Sequence, residues 1–127
     1  MSKPIKKNFS LTKKSHAFAT KVKSMPGNPS QLSKLAQLGF AIGLNYPEHT
    51  AIEIPTENIA DTSAIDDDNV MHMLYTEIYP NNDDGTVKTW VNIERASSYG
   101  LNVLEEKYFD DHENLIKWKD LYNDLAN

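Results

Sequence analysis

Hydrophobic positions change period several times along this 127-residue chain, and each change marks an element. Lys7-Asn8-Phe9-Ser10-Leu11 alternates with period two, Phe9 and Leu11 on one face and Asn8 and Ser10 on the other, which predicts one short strand. A lone strand leaves its backbone hydrogen bonds open, so it must pair with a distant strand or with its copy in another subunit. Thr12 is a suitable N-cap, and Phe18, Val22 and Met25 then recur at helical spacing, predicting a first helix from Lys13 to Ser24. Met25-Pro26-Gly27 breaks it. Asn28-Pro29-Ser30-Gln31 reads as a second helix start, with Asn28 capping, Pro29 in the first turn and Gln31 closing a capping box. The helix that follows carries Leu32, Leu35, Ala36, Leu38, Phe40, Ile42 and Leu44. Its second half is apolar almost all round and calls for burial on several sides, most easily at a subunit interface.

From Tyr46 to Asn69 the periodicity fades, and the prolines and the Asp66-Asp67-Asp68 run read as a long surface connection with one strand-like stretch at Thr50 to Ile54. Helices then resume. Asn69 can cap Val70 to Tyr79, with Val70, Met73, Leu74 and Ile78 facing inward, and Pro80 to Gly85 forms a turn. Thr86 to Tyr108 sets Val87, Trp90, Val91, Leu101, Leu104 and Tyr108 at helical spacing, with Gly100 as a close-packing point. A last helix from about His112 would bury Leu115, Trp118, Leu121, Tyr122 and Leu125. The expected fold class is mainly α: a ribbon-helix-helix-like N-terminal unit of one short strand and two helices, then about three further helices, in a single domain over residues 1–127.

Composition changes this picture less than the placement of charge does. The net charge of -5 hides a division. Residues 1–47 hold eight lysines and no acid, and residues 48–127 hold all eighteen Asp and Glu against five Lys and Arg. A basic part (1–45) suited to an anionic partner thus precedes an acidic helical part (46–127). Without cysteine there is no thiol nucleophile, Cys-based zinc site or disulfide framework. No apolar run approaches the roughly 20 residues of a membrane span, and the N-terminal residues lack a secretory pattern. The expectation is a cytoplasmic protein with no membrane association.

Catalytic patterns are sparse. His16, His49, His72 and His112 are scattered, with no pair at i, i+4. His72, between two methionines, reads as a partly buried helix residue, and Trp90 and Trp118 sit at core spacing. A calcium loop counted back from Gly85 would start at Pro80 and end at Val91, neither of which supplies a side-chain oxygen. No phosphate loop or nucleophile elbow is present, so neither an enzyme nor a cofactor is indicated. Lys13 and Lys14, by contrast, open a helix, where the macrodipole disfavours cations, and no acid nearby compensates them. An anionic partner would relieve that cost. The second helix start adds Ser30, Gln31 and Lys34 around free N–H groups suited to phosphate, and Lys6 and Lys7 extend the basic set.

A strand, a helix, a tight turn and a second capped helix follow the order of a ribbon-helix-helix unit, in which two chains pair their strands into a DNA-contacting ribbon. Over the whole chain the sequence resembles the DndE family of DNA phosphorothioation proteins. The resemblance runs from Asn8-Phe9-Ser10-Leu11-Thr12-Lys13-Lys14 through Gly27-Asn28-Pro29-Ser30-Gln31-Leu32-Ser33-Lys34-Leu35-Ala36 to Ile42-Gly43-Leu44, and again at Met73-Leu74-Tyr75-Thr76-Glu77-Ile78-Tyr79-Pro80 and Tyr99-Gly100-Leu101-Asn102-Val103-Leu104. It implies a non-catalytic subunit that binds double-stranded DNA, a homo-oligomer and specifically a tetramer, acting beside sulfur-transfer and ATPase subunits. The acidic C-terminal two-thirds departs from the basic surface expected of that family. On this reading Lys6, Lys7, Lys13, Lys14 and Lys34 contact phosphates with little sequence preference, assisted by Ser30 and Gln31. Two alternatives stay open: a ribbon-helix-helix repressor or antitoxin reading bases through Asn8 and Ser10, and an acidic protein-interaction adaptor or DNA mimic.

Overall fold

Two helices, α2 (Leu32–Gly43) and α5 (Thr86–Tyr108), cross at the centre of the fold in the computed structural model, which describes residues 7–66, 68–80, 86–113 and 115–126. Glycine on both sides brings their backbones together. A Cβ on Gly100 would lie 1.7 Å from the Gly39 carbonyl oxygen, and one on Gly43 would lie 1.9 Å from the Ala96 carbonyl oxygen. The Ser97 hydroxyl donates to the Ala36 carbonyl at 2.9 Å, pinning the crossing from inside. Leu35, Ile42, Ile93, Leu101 and Leu104 are fully or almost fully buried around it. Gly100 is thus the close-packing point its position suggested. The apolar end of α2 packs on α5 of the same chain through Gly39 and Gly43, while Leu38 and Leu44 stay half-buried.

The chain is mainly helical and forms one compact unit in the order β1 (Asn8–Leu11), α1 (Lys13–Lys23), α2, a 3-10 turn at Pro47–Ala51, β2 (Glu57–Asp61), α3 (Thr62–Ile65), α4 (Val70–Ile78), α5, β3 (Phe109–Asp110), β4 (Leu115–Ile116) and α6 (Trp118–Ala126). Thr12 caps α1 as expected, its hydroxyl accepting from the Ser15 N–H at 3.3 Å. Phe18, Ala19 and Val22 then bury the inner side of α1, with the Phe18 ring edge-on to Phe109.

Four expectations are corrected. The β1 strand pairs antiparallel with β2 of its own chain, Phe9 opposite Ala60 and Ser10 opposite Asn58, so that Ile59 is the extra residue of a bulge. The segment read as a surface connection therefore supplies the missing strand, beyond the Thr50–Ile54 stretch that looked strand-like; Thr50 itself lies in the 3-10 turn. Second, α2 begins at Leu32. Gln31 occupies the cap position without a side-chain cap bond, and the Asn28 carboxamide oxygen accepts instead from the Ile116 N–H at 3.4 Å. Gly27, at φ 88°, turns the chain there, and Pro29 to Gln31 run outside the helix.

Third, α4 faces the other way. Met71 and Tyr75 are its buried residues, whereas Val70, Met73, Leu74 and Ile78 are exposed. Asp66, not Asn69, caps it, accepting from the Met71 and His72 N–H groups at 2.8 and 3.1 Å. Fourth, Phe109–Asp110 pairs antiparallel with Leu115–Ile116 as the small β3–β4 hairpin before α6 starts at Trp118. In α6 only Leu121 is buried, and Trp118, Tyr122 and Leu125 lie outside. Trp90 is buried and meets Phe9 edge-on, as its spacing predicted. Val91 is only half-buried. Asn81 to Gly85 of the expected turn, and the side chains of Val87 and Leu115, lie outside the described residues.

Candidate nucleic-acid interface

The first helix carries its charge on one side because its apolar residues are all on the other. Ser15, Phe18, Ala19 and Val22 cluster on the inner half of α1, and 100° per residue then sends Lys13, Lys14, Lys21 and Lys23 to the outer half. All four lysines are exposed, with Ala17 and Thr20 between them. No acidic residue lies on the helix. Lys14 and Lys21, seven residues apart, stand in one row, and the helix spans about 15 Å from Lys13 to Lys23 at ~1.5 Å per residue.

The acidic half of the chain reaches this helix along one edge. Lys14 Nζ lies 3.7 Å from Glu106 Oε1 of α5, and Lys21 Nζ lies 4.0 Å from Asp111 Oδ1 of the hairpin turn. Lys21 also sits over the Phe109 ring at 5.3 Å. The expectation that no acid compensates the helix start is therefore corrected for Lys14. These pairs are exposed and hold weakly, on the order of 0–1 kcal/mol each. Among the described residues Lys13 and Lys23 make no ion pair.

The other basic residues singled out from sequence are spread over different elements. Lys7 is exposed at the entry to β1, six residues before the start of α1. Its carbonyl accepts from the Thr62 N–H at 2.8 Å. Ser30 and Gln31 are exposed ahead of α2, and Lys34 is exposed in its first turn. Lys6 lies outside the described residues. The residues that sequence reasoning passed over are Lys21 and Lys23. Their signal was present, since Lys21 stands seven positions after Lys14 in the same acid-free stretch.

Of the two ribbon residues read as base contacts, Asn8 is exposed and Ser10 is not available. Ser10 is buried; its hydroxyl donates to the Asn58 carboxamide oxygen at 2.5 Å, and its N–H donates to the Glu94 carboxylate at 2.5 Å. The Thr12 N–H donates to the Ser98 hydroxyl at 3.1 Å. The edge of β1 away from β2 is thereby closed by α5.

Two further polar clusters escaped the sequence. His49 is fully buried between the Tyr46 carbonyl at 2.7 Å and the Tyr75 hydroxyl at 2.8 Å, with the Tyr75 and Tyr79 rings edge-on to it. Burial pushes its imidazole below the usual 6.5, and burial likewise pushes the Tyr75 hydroxyl up to about 12. His72 is half-buried as expected, 5.7 Å from the Trp90 ring, and its buried Nε2 has no hydrogen-bond partner among the described residues. At the far end of α5, Tyr108 donates its hydroxyl to Asp124, which pushes the phenol up to about 12. That pair borders a cleft of about 230 Å³ between Ile42, Tyr46 and Leu121.

No helix among the described residues is long and apolar enough to cross a membrane. Comparison with family models, with curated proteins and with solved structures finds no match for this chain.

Proposed function

We propose that the chain is a non-catalytic DNA-binding subunit that grips the phosphate backbone with little regard to sequence, and that, as its resemblance to the DndE family implies, it serves DNA phosphorothioation. The observation that carries this is the outer half of α1, where Lys13, Lys14, Lys21 and Lys23 are exposed on a helix without a single acid. The helix's length of about 15 Å from first to last lysine is comparable with the ~12 Å width of a major groove. Its two ends can therefore reach phosphates on either side of the groove. Lys7 and Lys34 with Ser30 and Gln31 supply outlying contacts, and Lys6 would extend the Lys7 end. Self-association into a tetramer and company with sulfur-transfer and ATPase subunits belong to the same reading.

Sequence indifference follows from binding through phosphate and not through base edges. Of the two other readings, the repressor needs a ribbon shared between chains, and β1 already has β2 on one edge and α5 on the other. The adaptor would act through its acids, and part of that set is engaged within the chain: Asp66, Glu94, Asp110 and Asp124 accept hydrogen bonds, and Glu106 and Asp111 face lysines. Fluorescence anisotropy with several duplexes of unrelated sequence tests the proposal. Similar affinities for all of them are expected. One strongly preferred palindrome would favour the repressor, and no binding to any duplex would favour the adaptor.

A further inference from the structure

Two short helices are held to the body of the fold by few residues and show apolar surface on their outer sides. On α4, Val70, Met73, Leu74 and Ile78 are 45–61 % exposed, against Met71 and Tyr75 buried. On α6, Trp118, Tyr122 and Leu125 form an i, i+4, i+7 row that is 43–73 % exposed, against Leu121 buried. Helices of nine residues have little stability of their own and depend on packing, and scattered exposure on a monomer rarely takes the form of two whole stripes.

The two faces are complementary in charge. Helical spacing places Glu77 in the middle of the aliphatic face, between Val70 and Met73 around the axis, and α4 has no lysine or arginine. Lys119 borders the aromatic row of α6 on its solvent side, while Asp120 points away from that row and Asp124 is held by Tyr108. Among the described residues neither Glu77 nor Lys119 makes an ion pair. Pairing α4 with α4 would place two copies of Glu77 in one apolar interface, and pairing α6 with α6 would do the same with Lys119; both set like charges together where water is scarce.

We propose that the chain self-associates by laying the α4 face of one copy on the α6 face of another, Glu77 against Lys119. Each face leaves on the order of 350 Å² of apolar surface. A copy that covers both therefore approaches the ~800 Å² that each partner contributes to an interface of standard size. A two-fold dimer that uses both pairs of faces meets this in one interface, whereas a closed ring spreads the same area over two contacts of about half that size. The proposal gives a surface to the self-association in the functional reading above, and a mass measured without DNA reports on it separately from DNA binding.

Light scattering of the full chain at micromolar concentration tests it. The expected mass is a multiple of 14.4 kDa. Leu74→Glu and Tyr122→Glu change exposed positions, so each should keep the helical spectrum of the parent and fall to the monomer mass. An equimolar mixture of the two, taken to higher concentration than the parent needs, should regain a species of twice the monomer mass, because one intact α4 face then meets one intact α6 face. Glu77→Lys should weaken the assembly and Lys119→Glu in the same chain should restore it. If Leu74→Glu loses helical signal, Met73→Glu on the same face replaces it. A monomeric parent, either single variant that stays assembled, or a mixture that stays monomeric would overturn the proposal.

Discussion

The α2–α5 crossing and the two outer helices α4 and α6 use similar apolar periodicity to opposite ends. In the crossing, glycines let backbones touch and the stripes vanish into one another: Gly39, Gly43 and Gly100 each leave no room for a methyl group. In α4 and α6 one narrow side is buried and a second apolar side remains outside. A stripe alone therefore marks a contact, not a core. What decides between them is whether a complementary surface lies within the same chain, and α2 finds one in α5.

The largest expected effect breaks the inner half of that comparison. Gly100→Val drives carbons into the Gly39 backbone and should cost at least about 3 kcal/mol, a large share of the ~5–15 kcal/mol that holds such a domain together. Loss of the cooperative melting transition in circular dichroism is the expected readout. Leu74→Glu on the outer face should leave that transition nearly where it is.

Next in size is the cap of α4. Asp66→Ala removes both hydrogen bonds to the first turn of α4 and should cost about 1 kcal/mol, in the usual range for removal of a cap. A fall of a few degrees in Tm is expected, with the signal concentrated in hydrogen exchange of α4 amides.

His49 sharpens the comparison through pH. Its buried imidazole has a folded pKa depressed below the 6.5 of the exposed group, so the unfolded chain binds its proton more readily. Its contribution to stability is therefore complete above about 6.5 and declines as pH falls from there towards the depressed folded value. Tm of the parent should drop over that window, and His49→Gln should show a shallower drop measured under the same conditions.

How much of this was legible in the sequence depended on where the partners lie. The Lys13–Lys23 helix with its Thr12 cap, the Thr86–Tyr108 helix and the role of Gly100 could be read because each is fixed by local spacing. β2 could not. Glu57-Asn58-Ile59-Ala60-Asp61 has no alternation, and only its pairing with β1 across some fifty residues makes it a strand. The facing of α4 was misread because both of its sides are apolar: Val70, Met73, Leu74 and Ile78 compete with Met71 and Tyr75, and periodicity has no means of choosing between them. His49 gave no signal at all, because a histidine in Pro47-Glu48-His49-Thr50 reads as a surface turn. Of the lysines exposed on α1, Lys13 and Lys14 were singled out from the sequence and Lys21 and Lys23 were not, and Lys7, Ser30, Gln31 and Lys34 lie on other elements.

The smallest effect on stability belongs to the residues given the largest role. Lys13→Ala with Lys14→Ala removes an unfavourable dipole interaction and an exposed pair with Glu106, two effects of opposite sign and each under about 1 kcal/mol. Tm should move by no more than a degree or two, although binding to DNA falls.

The salt dependence of duplex binding tests the lysine face of α1 most directly. Each phosphate that a lysine neutralises adds about 0.9 to the slope of log affinity against log salt. The chain carrying Lys13→Ala, Lys14→Ala, Lys21→Ala and Lys23→Ala should therefore bind more weakly, by similar factors on unrelated sequences, and its slope should be shallower by about 0.9 for every phosphate it no longer neutralises. A fourfold variant that binds as tightly as the parent with its slope intact would contradict the account and remove α1 from the DNA surface.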